Sequence, residues 1–180
     1  MSKRSDEEKI KVLHFLAESL SFAKTLEAFP GLSIPELREI LLSQPTKPEA
    51  VLIHIDGASR GNPGKAGIGA LIQDSQGQTI SQLSKPIGVA TNNLAEYRAL
   101  LEALTEAERL GARDLTIFSD SELLVNQING TYKVRDAGIF PLWSQAKRKL
   151  AKFQKYLVLH IKRDENKEAD ALASAAIDRI

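Results

Sequence analysis

The chain has no cysteine and only three histidines in its 180 residues. Disulfides, thiolate catalysis and cysteine-ligated zinc are therefore excluded, although the missing cysteine assigns no compartment. An excess of charge of one sign is also lacking. The 24 Lys and Arg stand against 23 Asp and Glu, a formal net charge of +1. So small a balance argues neither for nor against a polyanionic partner. Long apolar runs are absent as well; none approaches the roughly 20 residues of a membrane-spanning helix. With a polar, charged N-terminus, the expected location is cytoplasmic, without a membrane partner. What remains is an ordinary globular balance, 43% hydrophobic and 26% charged. The length suits one sizeable core and a small appendage.

Residues 1–46 read as a small helical module, 47–50 as a linker, and 51–180 as the main domain. Apolar positions at Ile10, Val12, Leu13, Leu16 and Ala17 have helical spacing. Ser21 is a cap for a second short helix ending at Pro30-Gly31. Ser33, Pro35 and Glu36 mark the start of a third. Pro45 and Pro48 stiffen the junction. The first 50 residues hold seven Lys and Arg against eight Asp and Glu, so no basic face is announced. Packing or oligomerisation is the expected role, with a homodimer through this module as one form of it. Leu13, Leu16, Leu20, Phe22, Phe29, Leu37 and Leu41 exceed what so small an interior needs, and some should pack elsewhere.

The main domain opens with three strand candidates, 51–56, 66–73 and 79–85. The short link at Asp74-Ser-Gln-Gly77 fits a hairpin. The link 57–65 is longer and glycine-rich, and predicts a shaped loop rather than a minimal turn. Helices follow at 93–109, 122–128, 141–153 and 167–177, with strands at 115–118 and 156–161. A meander followed by alternating helices and strands predicts an α/β fold, a mixed sheet with helical cover.

Four carboxylates stand in awkward places. Asp56 ends the first apolar run, although Asp is depleted in strands and costly to bury unpaired. Asp120 directly follows the strand at 115–118. Glu96 lies in the first turn of the long helix, and Asp170 near the start of the last. Each has a plain explanation alone: turn, helix dipole or cap. Together they would repel one another unless divalent cations intervene. Oxygen-only ligation favours Mg²⁺ or Mn²⁺ over zinc. Such sites commonly work on phosphates with two ions roughly 3.5–4 Å apart.

The segments Ile55-Asp-Gly-Ala-Ser-Arg-Gly-Asn-Pro-Gly64, Thr91-Asn-Asn-Leu-Ala-Glu96, Ser119-Asp-Ser121 and Asn166-Lys-Glu-Ala-Asp170 resemble the successive signatures of type 1 ribonuclease H. The resemblance covers about 50–178 and leaves 1–50 outside. It implies a ribonuclease H-like five-stranded sheet whose first and fourth strands are parallel neighbours. It also implies cleavage of the RNA strand of an RNA–DNA hybrid with two Mg²⁺, Mn²⁺ substituting, to leave 5′-phosphate and 3′-hydroxyl ends. By the same resemblance Asp56, Glu96, Asp120 and Asp170 are the metal-binding acids. Gly57, Asn62, Thr91 and Asn92 are substrate-binding positions, Gly57 through a close backbone approach to the hybrid.

Two departures from the family pattern stand out. Many members carry a catalytic histidine in the loop before the last acid; here Ile161-Lys-Arg-Asp-Glu-Asn166 has none, and either Arg163, Asp164 or Glu165 partly replaces it or product release proceeds without such a group. Some members also insert a basic helix and loop, for which 129–138 leaves no room. Residues 131–163 nevertheless hold nine Lys and Arg. Lys147, Arg148 and Lys152 among them are either a solvated helical face or a partial electrostatic substitute. Trp143 reads as a core anchor, and His54 and His160 as structural rather than catalytic. Double-stranded RNA is an alternative partner. The alternative functions are a hybrid- or duplex-binding module that does not cut and a metal-dependent phosphatase of small phosphate esters.

Overall fold

A computed structural model describes residues 5–19, 21–42 and 48–179. Leu20 and positions 43–47, which include the start of the expected linker, lie outside the described residues. The chain divides into two compact units, Met1–Thr46 and Lys47–Ile180.

The smaller unit holds α1 (Asp6–Ser19), α2 (Phe22–Ala28) and α3 (Ile34–Leu42). Ser21 Oγ accepts from the Lys24 backbone N–H, and Ser33 Oγ from that of Glu36. Both hydroxyls satisfy donors that a helix start leaves open. Val12, Leu32, Leu37 and Ile40 form the buried core, with Leu13, Leu16, Leu26 and Phe29 packed against it.

The larger unit holds β1 (Ala50–Gly61), β2 (Gly64–Asp74), β3 (Thr79–Ala90), α4 (Asn92–Leu110), β4 (Asp114–Ser119), α5 (Glu122–Ile128), α6 (Phe140–Leu150), β5 (Lys155–His160) and α7 (Lys167–Ile177). The five strands lie in the order β3-β2-β1-β4-β5. The first three form the antiparallel meander, and β1 pairs in parallel with β4. This is the ribonuclease H-like mixed sheet anticipated above. Val51, Ile53, Ile55, Leu115 and Ile117 alternate along β1 and β4 and are buried with Leu100 and Leu104 of α4. Gly111, at φ +76°, closes that helix. No helix among the described residues is long and apolar enough to cross a membrane.

The link 57–65 corrects the sequence expectation. Pairing between β1 and β2 continues to Gly61↔Gly64, so the connection is a tight turn at Asn62-Pro63 rather than a shaped loop. The glycines that suggested a loop serve close packing instead. A Cβ on Gly57 would stand 2.1 Å from the Glu96 backbone nitrogen; one on Gly69 would stand 2.2 Å from the Ala169 carbonyl oxygen. Neither distance is sterically possible, so both helices are docked at glycine positions. Smaller differences lie at the far end of the unit. The helix predicted to reach 153 stops at Leu150, and a 3₁₀ turn occupies Arg163–Glu165.

Candidate active site

The parallel pairing of β1 with β4 ends at His54↔Phe118. Asp56 lies two residues beyond that point, and Asp120 directly follows β4, so both carboxylates emerge at the carboxyl end of the parallel pair. Such ends are where open α/β sheets place their ligands. Glu96 comes from α4, whose first turn reaches β1 because Gly57 has no side chain. Ligand oxygens of Asp56, Glu96 and Asp120 lie within 4.8 Å of one another.

Asp170 arrives by a second glycine contact. In the β1–β2 register, Gly69 stands opposite Asp56. Against Gly67 and Gly69 lie Ala169, Ala173 and Ala176 of α7, all fully buried. Small residues on both elements let the helix backbone come down onto the strand, which delivers Asp170 near Asp56. The Asp170 carboxylate is not gathered with the other three acids. It accepts from Arg163 Nη2 at 2.8 Å, and Arg163 is largely exposed.

The electrostatics are severe at the buried end. Asp56 and Glu96 are each only 5% exposed. Burial, with repulsion from Asp120 and Asp170, pushes Asp56 up to about 7. Burial and the Asp56 and Asp120 charges push Glu96 well above the usual carboxylate range. Arg163 and the Gly57 backbone N–H oppose both shifts. Glu96 Oε2 is buried without a hydrogen-bond partner. A buried, partnerless carboxylate oxygen within a cluster of oxygen donors suits a hard divalent cation.

The substrate-binding candidates meet at the start of α4. Asn62 Oδ1 accepts from the Asn92 backbone N–H at 3.2 Å, and Thr91 caps the helix by accepting from the Leu94 N–H. Gly57 is buried against α4, so its open side faces that helix. Among the auxiliary candidates, Arg163 reaches Asp170, whereas Glu165 turns back to the Lys162 backbone. Lys147 donates to the Ile128 carbonyl and the Tyr156 hydroxyl. Lys152 pairs with Glu108, and Arg148 donates to Ser144. Their hydrogen bonds stay around α6 and do not extend to the acids. Trp143 packs on the core and donates to the Gln127 carbonyl. His54 stacks on Phe118, and burial lowers its pKa against opposing effects of Asn166 and Glu168. His160 is exposed at the end of β5.

Sequence reasoning gave no role to Asn166, Gly67 or Gly69. Asn166 is 1% exposed and donates to both the Ile55 carbonyl and Asp120 Oδ1 at 2.9 Å. Glycines inside a buried strand are a readable signal of close backbone approach. Asn166 opens the Asn166–Asp170 motif, but the motif alone does not show which groups its side chain would hold.

The comparisons agree with this geometry. A family profile described as "Reverse transcriptase-like" matches residues 54–176. Ribonuclease HI of Halobacterium salinarum is 37% identical over 75% of this chain and 68% of its own length. The crystal structure of RNase H1 from that archaeon superposes with a TM-score of 0.71, over 73% of this chain and 99% of that one. The bifunctional protein Rv2228c of Mycobacterium tuberculosis is 41% identical over 71% of this chain, which spans about a third of it (35%). LC11-RNase H1, solved in complex with an RNA/DNA hybrid, is 36% identical with a TM-score of 0.69, covering 72% of this chain and 97% of that one. On the four motifs, the sheet order and these matches, the chain belongs to the ribonuclease H family.

Proposed function

We propose that the larger unit, Lys47–Ile180, is a metal-dependent endoribonuclease that cuts the RNA strand of RNA–DNA hybrids. The observation that carries this reading is the convergence of Asp56, Glu96 and Asp120 within 4.8 Å at the carboxyl end of two parallel strands. The hybrid bound to LC11-RNase H1 supports the substrate class. Asp56, Glu96, Asp120 and Asp170 would hold two Mg²⁺ ions, with Mn²⁺ substituting. Bound there, such ions supply charge that acidifies an attacking water and stabilises the leaving 3′ oxygen. The products would then carry 5′-phosphate and 3′-hydroxyl ends.

The protein's own contribution is placement. Asp56 sits between the two helices that carry Glu96 and Asp170, which suits it to share both ions. Glu96 and Asp56 must give up protons that burial and mutual repulsion favour keeping, so ion binding and deprotonation are coupled. Asn62, Thr91 and Asn92 would contact the nucleic-acid backbone where the β1–β2 turn meets α4. A hybrid offers 2′-hydroxyls across its shallow minor groove, which polar groups on one surface can reach. Arg163, exposed and within reach of Asp170, would place positive charge beside the scissile phosphate in the loop that lacks a histidine.

The test is cleavage of a hybrid labelled on each strand, with and without Mg²⁺ or Mn²⁺, by the protein and by Asp56→Asn, Glu96→Gln, Asp120→Asn and Asp170→Asn. Metal-dependent cutting of the RNA strand alone, lost on changing the acids, is expected. Full activity in a folded Asp56→Asn protein would sink the assignment.

A further inference from the structure

We infer that Asn166 is a positioning residue, whose side-chain amide fixes the Asp120 carboxylate relative to the β1 backbone just before Asp56. This inference rests on the metal-dependent reading above and names a group that makes that site rigid.

An asparagine amide nitrogen has two N–H donors. Asn166 uses its Nδ2 twice, at 2.9 Å to the Ile55 carbonyl oxygen and at 2.9 Å to Asp120 Oδ1. One side chain therefore ties together the residue before Asp56, the acid after β4, and the start of the helix that carries Asp170. Asp170 itself donates its backbone N–H to the Asn166 carbonyl. Among the described residues Asp120 has no ion pair, so the amide is the group that orients it.

Two plainer explanations fail. Asparagine at a helix start ordinarily accepts from the helix's first N–H groups. Asn166 stands at the N-cap of α7 and makes no side-chain capping bond. Burial for packing fails too. The residue is 1% exposed, and its side chain lies against His54 as well as Ile55 and Asp120. Burying an amide carries a desolvation cost that an apolar side chain of equal volume would avoid. What an apolar side chain could not do is donate to both β1 and Asp120. Partners that orient metal-binding side chains carry large effects although they touch no ion.

The experiment uses the full chain with Mn²⁺ alone, no nucleic acid, and follows binding by electron paramagnetic resonance and titration calorimetry. Asn166→Ala and the volume-conserving Asn166→Leu are each made alone and in an Asp120→Ala background. Measurements are taken well below every variant's melting temperature. We expect each single change to weaken Mn²⁺ binding by about 10–100-fold. On hybrid, kcat should fall by more than KM rises. In the Asp120→Ala background, removing Asn166 should change Mn²⁺ binding by less than about twofold, because the side chain that Asn166 holds is gone. Unchanged Mn²⁺ affinity in folded Asn166→Leu, an equal loss with and without Asp120, or failure of both variants to fold would each overturn the inference. A folded Asp120→Ala protein that binds Mn²⁺ and cuts like the parent would instead overturn the metal-site reading itself.

Discussion

The candidate site has two unlike sides. On the β1–α4 side, Asp56 and Glu96 are nearly inaccessible, and Glu96 keeps a buried oxygen without a partner. On the β4–α7 side, Asp120 and Asp170 are only partly buried, and each has a side chain to hold it, Asn166 and Arg163 respectively. The first side is electrostatically unsatisfied in the protein alone, whereas the second is already compensated. Strain of this kind persists only where the surrounding fold imposes it. Here two glycine contacts impose it, Gly57 beneath α4 and Gly69 beneath α7.

The largest effects should come from the unsatisfied side. Asp56→Asn and Glu96→Gln should each reduce hybrid cleavage by more than about 10²-fold. The same changes should raise the melting temperature of the metal-free protein at pH 8, because they remove buried repulsive charge. Asp170→Asn should cost less activity and should not stabilise, since its carboxylate already has Arg163. Melting curves beside cleavage rates check the contrast. Equal effects on both sides would erase it.

The glycine contacts come next. Gly69→Ala and Gly57→Ala should each cost about 1–3 kcal/mol by overpacking backbone that has no room to give. Gly69→Ala should also shift α7 and weaken hybrid cleavage. Urea denaturation measures the first effect. Gly77→Ala is the useful control: a Cβ there meets nothing within 4 Å, although its φ of +79° adds conformational cost. It should leave cleavage unchanged.

These contacts also mark what the sequence disclosed. The meander and the described helices were legible from apolar periodicity, caps and turn residues, whereas the parallel β1–β4 pair was implied by the family resemblance. Asp56, Glu96 and Asp120 were legible from their joint pattern and from the motifs that carry them, since each alone has a plain explanation as turn, cap or helix-dipole residue. The link 57–65 was misread because glycine serves both loops and close packing, and sequence alone does not show what lies opposite. Asn166 escaped for a related reason. Its importance lies in two acceptors that are distant in sequence, Ile55 and Asp120, which only the fold brings to it.

The acid–base behaviour sharpens the comparison further. Asp56 rises from 3.8 when unperturbed to about 7 in the fold. Between those values the folded state binds a proton that the unfolded state has released. Its contribution to stability is therefore complete below pH about 4 and is lost as pH rises through about 7. Glu96 shifts in the same direction. Metal-free protein should accordingly melt at higher temperature at pH 5 than at pH 8, from these groups. Mn²⁺ should raise the melting temperature more at pH 8, where binding has fewer protons to displace. Thermal melts at both pH values with and without Mn²⁺ make the check. A Mn²⁺ effect larger at pH 5 would contradict it.

The smallest effect on cleavage should follow removal of residues 1–46. The larger unit has its own continuous core, whereas the smaller one, among the described residues, buries Val12, Leu32, Leu37 and Ile40 and leaves Ile10, Phe22 and Ile34 mostly exposed. Deletion should lower the melting temperature or change the sedimenting mass, as expected of a module that packs or dimerises, while metal-dependent cleavage survives. A tenfold or greater loss of hybrid affinity at fixed salt, with mass and melting unchanged, would make the module a substrate-binding attachment instead.

The central claim is metal-dependent hydrolysis of RNA within a hybrid. Its most direct test follows end-labelled RNA–DNA hybrid, double-stranded RNA and double-stranded DNA with the full chain across a Mg²⁺ and Mn²⁺ titration, resolving both strands and the chemistry of the new ends. The account predicts cutting of the RNA strand of the hybrid, none without metal, and 5′-phosphate and 3′-hydroxyl products. Retention of labelled hybrid with no cleavage at any concentration of either metal would contradict it.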